Sequence, residues 1–228
     1  MKLLLGLVWP CCGYIIVIIS FITFVISNGG LVVGDKSAHQ AEINLPQLFY
    51  FSFFVIAFAL PYFIVRIKSF LKFVLQHKLF SALCMLLFVI ITRYNTVVHP
   101  YLLADNRHYV FYLWKAFYER RVMPKYLLSP VYFFGLYSII SHLKNKSFLF
   151  LLGYFVSLVV SIVPQKLLEY RYYILPFMVF RININNLSWL QLSAELLFFL
   201  VINVMSIYIF ASKEFYWADS KEIQRIIW

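Results

Sequence analysis

Long stretches of this chain carry apolar residues and almost no charge, and the clearest are 3–27, 48–65, 79–98 and 187–211. A helix needs about 20 apolar residues to cross a hydrocarbon core of about 30 Å, so each stretch predicts a spanning helix. Two shorter runs, 126–141 and 148–163, are joined by the polar residues His142 to Ser147 and predict a helical hairpin. The pattern therefore gives about six crossings. Two further segments are ambiguous. Residues 109–118, YVFYLWKAFY, are too short to cross and hold Lys115, which suits an interfacial helix with Trp114 and its tyrosines at headgroup level. In residues 164–182, Pro164 suits a first helical turn and Pro176 would kink or end the helix. That segment lies in the interface or crosses between Tyr172 and Ile184; counting both ambiguous segments gives up to eight spans.

Composition turns this pattern into a fold class. Only 13% of the residues are charged and the mean hydropathy is +0.83, where a soluble domain carries about 25% charge. The chain reads as an all-α polytopic membrane protein, a single transmembrane unit over residues 1–228. The net charge of +11 would favour nucleic acid in a soluble chain. Here the Lys and Arg stand between apolar runs, where they anchor helices at lipid headgroups, so the bilayer is the partner and nucleic acid is not. The first run continues to Ser27 without a small-residue cleavage pattern, too long for a signal peptide. Cys11, Cys12 and Cys84 sit inside apolar runs and form no metal or disulfide pattern. Basic residues divide almost evenly between the two sides of a six-span arrangement, so they do not orient it; only the density of Arg66, Lys68, Lys72 and Lys78 points to a cytosolic loop.

On six spans, three polar clusters fall on one face of the membrane: 34–42, 99–109 and 164–173. In the third, helical spacing would align Gln165, Glu169 and Tyr172, with Lys166 three residues from Glu169. Such a groove suits an anionic lipid headgroup, because Lys166 and Arg171 can satisfy phosphate oxygens. The plainer reading pairs Glu169 with Lys166 or Arg171 to seat a helix at the interface. In the second, His99, Asp105, Asn106, Arg107 and His108 match no dependable metal spacing. Phosphate recognition by Arg107 and His108, oriented by Asp105, needs fewer assumptions, although Asp105 and Asn106 could equally cap the next helix. Asp35, Lys36 and His39 in the first cluster are the weakest candidates, since Asn28, Gly29, Gly30 and Gly34 mark a turn and a solvated loop explains the charges. Two N-glycosylation patterns, Asn145-Lys-Ser147 and Asn186-Leu-Ser188, complete the inventory.

The stretches LADNRHY (103–109), VPQKLLEYRYYILP (163–176), GDKSAHQAEINLPQLFYF (34–51) and IQRIIW (223–228) resemble those of the dolichyl-phosphate-glucose-dependent alpha-1,2-glucosyltransferases of the endoplasmic reticulum. The resemblance covers essentially the whole chain. It implies a multi-pass protein of the endoplasmic reticulum membrane with the GT-C transmembrane fold. The implied reaction moves glucose from dolichyl phosphate to the dolichol-linked oligosaccharide on the lumenal side, with inversion and without a cofactor. It also implies that Arg107, His108, Lys166 and Arg171 contact phosphate, while Asp105 and Glu169 orient them or meet the acceptor sugar.

Members of that family are about twice as long, and their catalytic acid belongs to an Asp-Glu pair near the N-terminus. No adjacent Asp-Glu occurs here, so the resemblance implies a C-terminal half whose catalytic base lies elsewhere. Two other readings compete: a transporter or channel subunit, which expects charges inside the spans, of which Glu195 is the main example, and a non-catalytic membrane partner. On the first reading the purified 228 residues should show no glucose transfer to a dolichol-linked acceptor; turnover above background would refute the assignment of the base to another segment.

Overall fold

The computed structural model describes residues 2–30, 33, 41–119, 122–218 and 221–227, without the side chains of 2–9 and 122. Its contacts group into two compact units, 1–40 and 41–228. The first consists of α1 (Lys2–Asn28). This helix ends where Gly29 turns to φ 67° and the amides of Gly29 and Gly30 donate back to the carbonyls of Ile26 and Val25, at 3.3 and 3.0 Å. That closure gives the last-turn carbonyls partners and uses glycine because an L side chain resists this φ. Asp35, Lys36 and His39 lie outside the described residues.

The second unit is organised around α2 (Pro46–Phe58), which opens on a proline suited to the first turn. PQLFYFSFFVIAF is apolar on every side, and a helix of that kind is buried all round; Phe49, Phe51, Phe54 and Val55 are core residues. After Ala59 the chain turns sharply into α3 (Leu60–Phe63), a short 3-10 turn at Ile64–Arg66, and α4 (Ile67–Gln76). The two arms meet at 92° across Ala59, two residues before Pro61, which cannot donate to the helical ladder. α4 therefore puts an amphipathic helix where a cytosolic loop is expected at 66–78: Phe70 packs edge-on against Phe133 and tilted against Phe134 and Tyr137.

α5 (Lys78–Tyr94) and the short α6 (Pro100–Ala104) follow, then α7 (Tyr109–Trp114), which runs into a π-helical turn at Lys115–Glu119. Trp114 stacks on Tyr118, whose hydroxyl shares a 2.7 Å hydrogen bond with Tyr132. At about 1.5 Å per residue this segment reaches only about half of a bilayer core, so it does not cross alone.

α8 (Val122–Leu127) and α9 (Ser129–Leu143) form one apolar rod that packs on α2. A Cβ on Gly135 would meet Ile56 and Ser52 at 3.0 Å. α10 (Phe148–Ile162) starts at Ser147 and α12 (Trp189–Ser212) at Ser188; each serine hydroxyl accepts an amide of the first turn, and Ser188 forms a reciprocal capping box with Gln191. Between them lies α11 (Arg171–Ile182), with Pro176 inside it. Twelve residues span about 18 Å, too little to cross. Pro164 follows the end of α10 rather than opening a helix.

Among the described residues, three helices are long and apolar enough to cross a membrane: Pro10–Asn28, Met123–Leu143 and Trp189–Ser212. The bent pair Pro46–Phe58 with Leu60–Gln76 makes a fourth if it counts as one span. The fold is thus a helical membrane bundle, with fewer full-length spans than the six expected: the runs at 79–98 and 148–163 form helices of only 17 and 15 residues.

A β-hairpin was not foreseen. β1 (Glu214–Tyr216) pairs antiparallel with β2 (Ile223–Arg225), with Glu214 opposite Arg225. Arg225 pairs with Glu214 and donates to the carbonyls of Phe210 and Ala211 at 2.7 and 3.0 Å, satisfying the last turn of α12.

Buried amides tie the helices to the loops. The Gln47 amide donates to the carbonyls of Gln165 and Leu167 at 2.9 and 3.1 Å and its oxygen accepts from the Tyr173 hydroxyl. Gln47 is fully buried. Replacing it with Leu, similar in volume, strands the Leu167 carbonyl and the Tyr173 hydroxyl, and each orphaned group costs about 1–3 kcal/mol. Thermal unfolding in detergent should register Gln47→Leu as strongly destabilised, by about 2–5 kcal/mol, whereas a shift within error would show that Gln47 does not hold this segment.

Candidate functional site

Three irregular stretches of the second unit converge. The amides of Glu42 and Asn44 donate to the carbonyls of Pro164 and Val163 at 3.1 and 2.9 Å. Asn95 donates to Ile43 and accepts from the Leu45 amide, at 3.0 and 2.6 Å. Asn44 donates from its side chain toward the carbonyls of Val97 and Gln165. Residues 41–45, 95–97 and 163–168 are thereby joined without helix or strand.

Against this frame the loop 105–108 borders a cavity of about 740 Å³, whose lining includes Asp105, Arg107, His108, Glu169, Arg171 and Trp217. Asp105 accepts the Arg107 amide at 3.0 Å and grips its guanidinium through two bonds of 2.9 and 2.7 Å. This bidentate pairing is the strong geometry for Arg with a carboxylate. The Asp105 side chain thus orients Arg107 and does not cap α7, whose N-cap residue, His108, provides no side-chain cap either. His108 Nε2 lies 3.6 Å from the other Asp105 oxygen, beyond hydrogen-bond range. The Arg107 hydrogen bonds hold the Asp105 carboxyl below its ordinary range.

In the same cavity, Glu169 pairs with Arg171, whose side chain is 69% exposed while that of Glu169 is 12% exposed. The cation therefore reaches outward from a mostly buried acid. Arg107 contributes the second cationic head, 37% exposed. Two guanidinium groups lining one cavity, each held by its own carboxylate, can together receive an anion. Among the described residues no three His, Cys, Asp or Glu side chains gather in a way that could hold a metal ion.

Beside the polar cavity runs an apolar groove of about 320 Å³ that shares His108, Val110, Glu169 and Arg171 with it. Its far wall is Phe54, Phe58, Ile174, Phe177, Met178 and Phe199. Charge at one end thus passes directly into hydrocarbon at the other.

The model of the DIE2/ALG10 family matches residues 1–182. The chain belongs to the DIE2/ALG10 family. Three curated relatives bear the name Dol-P-Glc:Glc(2)Man(9)GlcNAc(2)-PP-Dol alpha-1,2-glucosyltransferase. That of Rattus norvegicus is 43% identical over 100% of this chain and 48% of its own length. That of Homo sapiens is 42% identical over 100% and 48%, and that of Drosophila melanogaster 38% over 99% and 50%. The chain spans about half the length of the curated relatives it matches. No solved structure matches it.

Within this DIE2/ALG10 chain the candidates separate. Asp105, Arg107, His108, Glu169 and Arg171 face one cavity, while His99, Asn106, Gln165, Lys166 and Tyr172 do not line it. His99 is buried and its Nδ1 accepts the Tyr101 amide, capping α6. Asn106 accepts from the Trp217 indole at 2.7 Å. Gln165 offers its main-chain carbonyl to Gln47 and Asn44. The expected helical stripe of Gln165, Glu169 and Tyr172 is not formed, because 163–170 is irregular and α11 begins only at Arg171. Lys166 consequently turns away from Glu169 and meets Glu42 at 2.5 Å, a partly exposed pair of little energetic weight.

Glu195 has a structural role. Arg181 binds both its oxygens at 2.6 Å, and Tyr62 donates to it at 2.7 Å. The acid that favoured a transport reading is already paired. Trp217 and the amides Asn44, Gln47 and Asn95 escaped sequence reasoning. The signal available was polar amides bordering the apolar run after Pro46.

The depressed Asp105 carboxyl gives a signed pH dependence. Its pairing with Arg107 stabilises the loop fully above the ordinary carboxylate pKa of about 3.9 and is lost as pH falls through the lower folded value. The Ile227 amide donates to the Arg107 carbonyl at 2.7 Å and reports on the loop by hydrogen exchange. Its protection, corrected for intrinsic exchange, should persist down to about pH 4 and fall below it; in Asp105→Asn it should already be reduced at pH 7. Unchanged protection in Asp105→Asn would remove the pair from this role.

Proposed function

We propose that this chain forms the donor side of a dolichyl-phosphate-glucose-dependent alpha-1,2-glucosyltransferase in the endoplasmic reticulum membrane. The acceptor is the dolichol-linked oligosaccharide that already carries two glucoses, and the site faces the lumen. The observation that carries this reading is the junction of the two cavities: a cationic chamber, with Arg107 and Arg171 on its walls, opens into an apolar groove. A polyisoprenyl phosphate has that same division, an anionic head on a hydrocarbon chain, and the relatives' name supplies the glucose and the acceptor.

The chemistry follows from the leaving group. The acceptor hydroxyl oxygen attacks the anomeric carbon, the bond from that carbon to the phosphate oxygen breaks, and dolichyl phosphate departs with the electron pair. Arginines fixed in advance stabilise that growing charge without reorganising, the largest contribution such a site can make. A base must take the hydroxyl proton. Asp105 is a poor choice, since both oxygens are bound to Arg107 and its carboxyl is depressed; Glu169 is committed to Arg171. Both carboxylates orient cations, and the base is supplied from outside this cavity.

Donor binding tests the reading without requiring turnover. The purified chain in lipid nanodiscs should retain dolichyl phosphate and discriminate strongly against uncharged dolichol. Arg107→Ala should weaken dolichyl phosphate by about 10- to 100-fold, the value of a lost hydrogen-bonded charge contact, while leaving dolichol unchanged. Equal retention of phosphate and alcohol would overturn the proposal.

A further inference from the structure

The β-hairpin places a tryptophan where phosphate recognition alone does not need one. Trp217 leaves β1 and its ring borders the cavity beside Ala218. Its indole N–H is already taken by Asn106 at 2.7 Å, and the Arg107 guanidinium lies 4.8 Å from its ring centroid. The donor function and one side of the ring are thus used to aim the residue, not to hold a ligand. The hairpin carrying it is held at both ends, by Arg225 on the last carbonyls of α12 and by the Ile227 amide on the Arg107 carbonyl. Ile227 also bridges to His108 in parallel register. An aromatic ring fixed by this many contacts presents a rigid apolar surface that a ligand can use at little entropic cost.

The cavity is large enough for more than a headgroup. Volumes of about 300–1,000 Å³ accommodate drug-sized molecules, so about 740 Å³ admits a hexose beside the phosphate. A pyranose has a face of C–H groups that packs on aromatic carbon, while its hydroxyls need polar partners at the rim. Trp217 supplies that carbon surface, and it lies next to the arginine assigned to phosphate. We infer that Trp217 is the sugar-binding residue of the donor site, and that the hairpin supplies the wall on which the glucose of a lipid-phosphate sugar stacks. This rests on the donor-site reading above.

The experiment compares two phosphodiester probes of equal charge, the methyl ester of dolichyl phosphate and dolichyl phosphate glucose, with the full chain in nanodiscs, and takes the ratio of their dissociation constants. A variant that only loosens the loop moves both affinities together and cancels in the ratio. The native chain should prefer the glucosylated probe by roughly tenfold, the scale of one aromatic contact. Trp217→Phe keeps an aromatic face and loses the N–H, and should retain most of that preference. Trp217→Leu keeps an apolar but smaller side chain without an aromatic face and should bring the ratio to about one. A Leu variant that discriminates as well as the Phe variant, or a Phe variant that loses the preference as fully as Leu, overturns the inference. If the native chain binds both probes equally, the donor site stands and the role of Trp217 falls. If it binds neither, the donor-site reading falls as well.

Discussion

Main-chain carbonyls at 163–168 have no helix or strand to satisfy them, and the structure depends on how that debt is met. In the low-dielectric setting of a membrane bundle an unpaired carbonyl is costly, so irregular backbone survives only where protein groups solvate it. Here the donors are two side chains, Asn44 and Gln47, and two amides, Glu42 and Asn44. Gln47 sits in the first turn of the most buried helix, so the same residue that starts the core also anchors the loop. With that loop held, α11 begins at Arg171, and Glu169 and Arg171 line the same cavity as Asp105 and Arg107.

The site that results separates orientation from binding. Each cation is held by a nearby carboxylate, Arg107 by Asp105 and Arg171 by Glu169, and both pairs lie two residues apart in sequence. Local pairing of this kind costs little loop-closure entropy. It leaves the guanidinium heads partly exposed to the cavity while removing the carboxylates from proton chemistry. An anion entering between them meets charge already oriented, which is the condition under which electrostatic stabilisation is effective.

Much of this was legible in the residues. Charge-free runs located the helices, and the sequence motifs identified LADNRHY and PQKLLEYRYY as the stretches that meet. Helical spacing misled at 165–172, because periodicity describes a helix only if one forms, and Gln47 and Asn44 compete for exactly those carbonyls. Asp105 looked like a cap for the same reason: a carboxylate before a helix satisfies amides, but Arg107, two residues on, gives that carboxylate its own amide and two guanidinium N–H donors. Span lengths were overestimated where apolar runs continue past a break, as after Tyr94, since hydropathy does not register where a backbone leaves the helix. The hairpin was invisible because its strands are three residues each and its decisive contact, Trp217 with Asn106, joins residues 111 positions apart.

The two serines that open α10 and α12 bear on the timing of modification. Ser147 and Ser188 are also the third residues of the two Asn-x-Ser patterns, and their hydroxyls accept the amides of Phe150 and Gln191. Asn186 meanwhile holds a left-handed φ of 57° at the entry to α12. An acceptor sequon must be presented as accessible, adaptable chain, so at both places the finished helix start and the modifiable peptide are alternative uses of the same three residues.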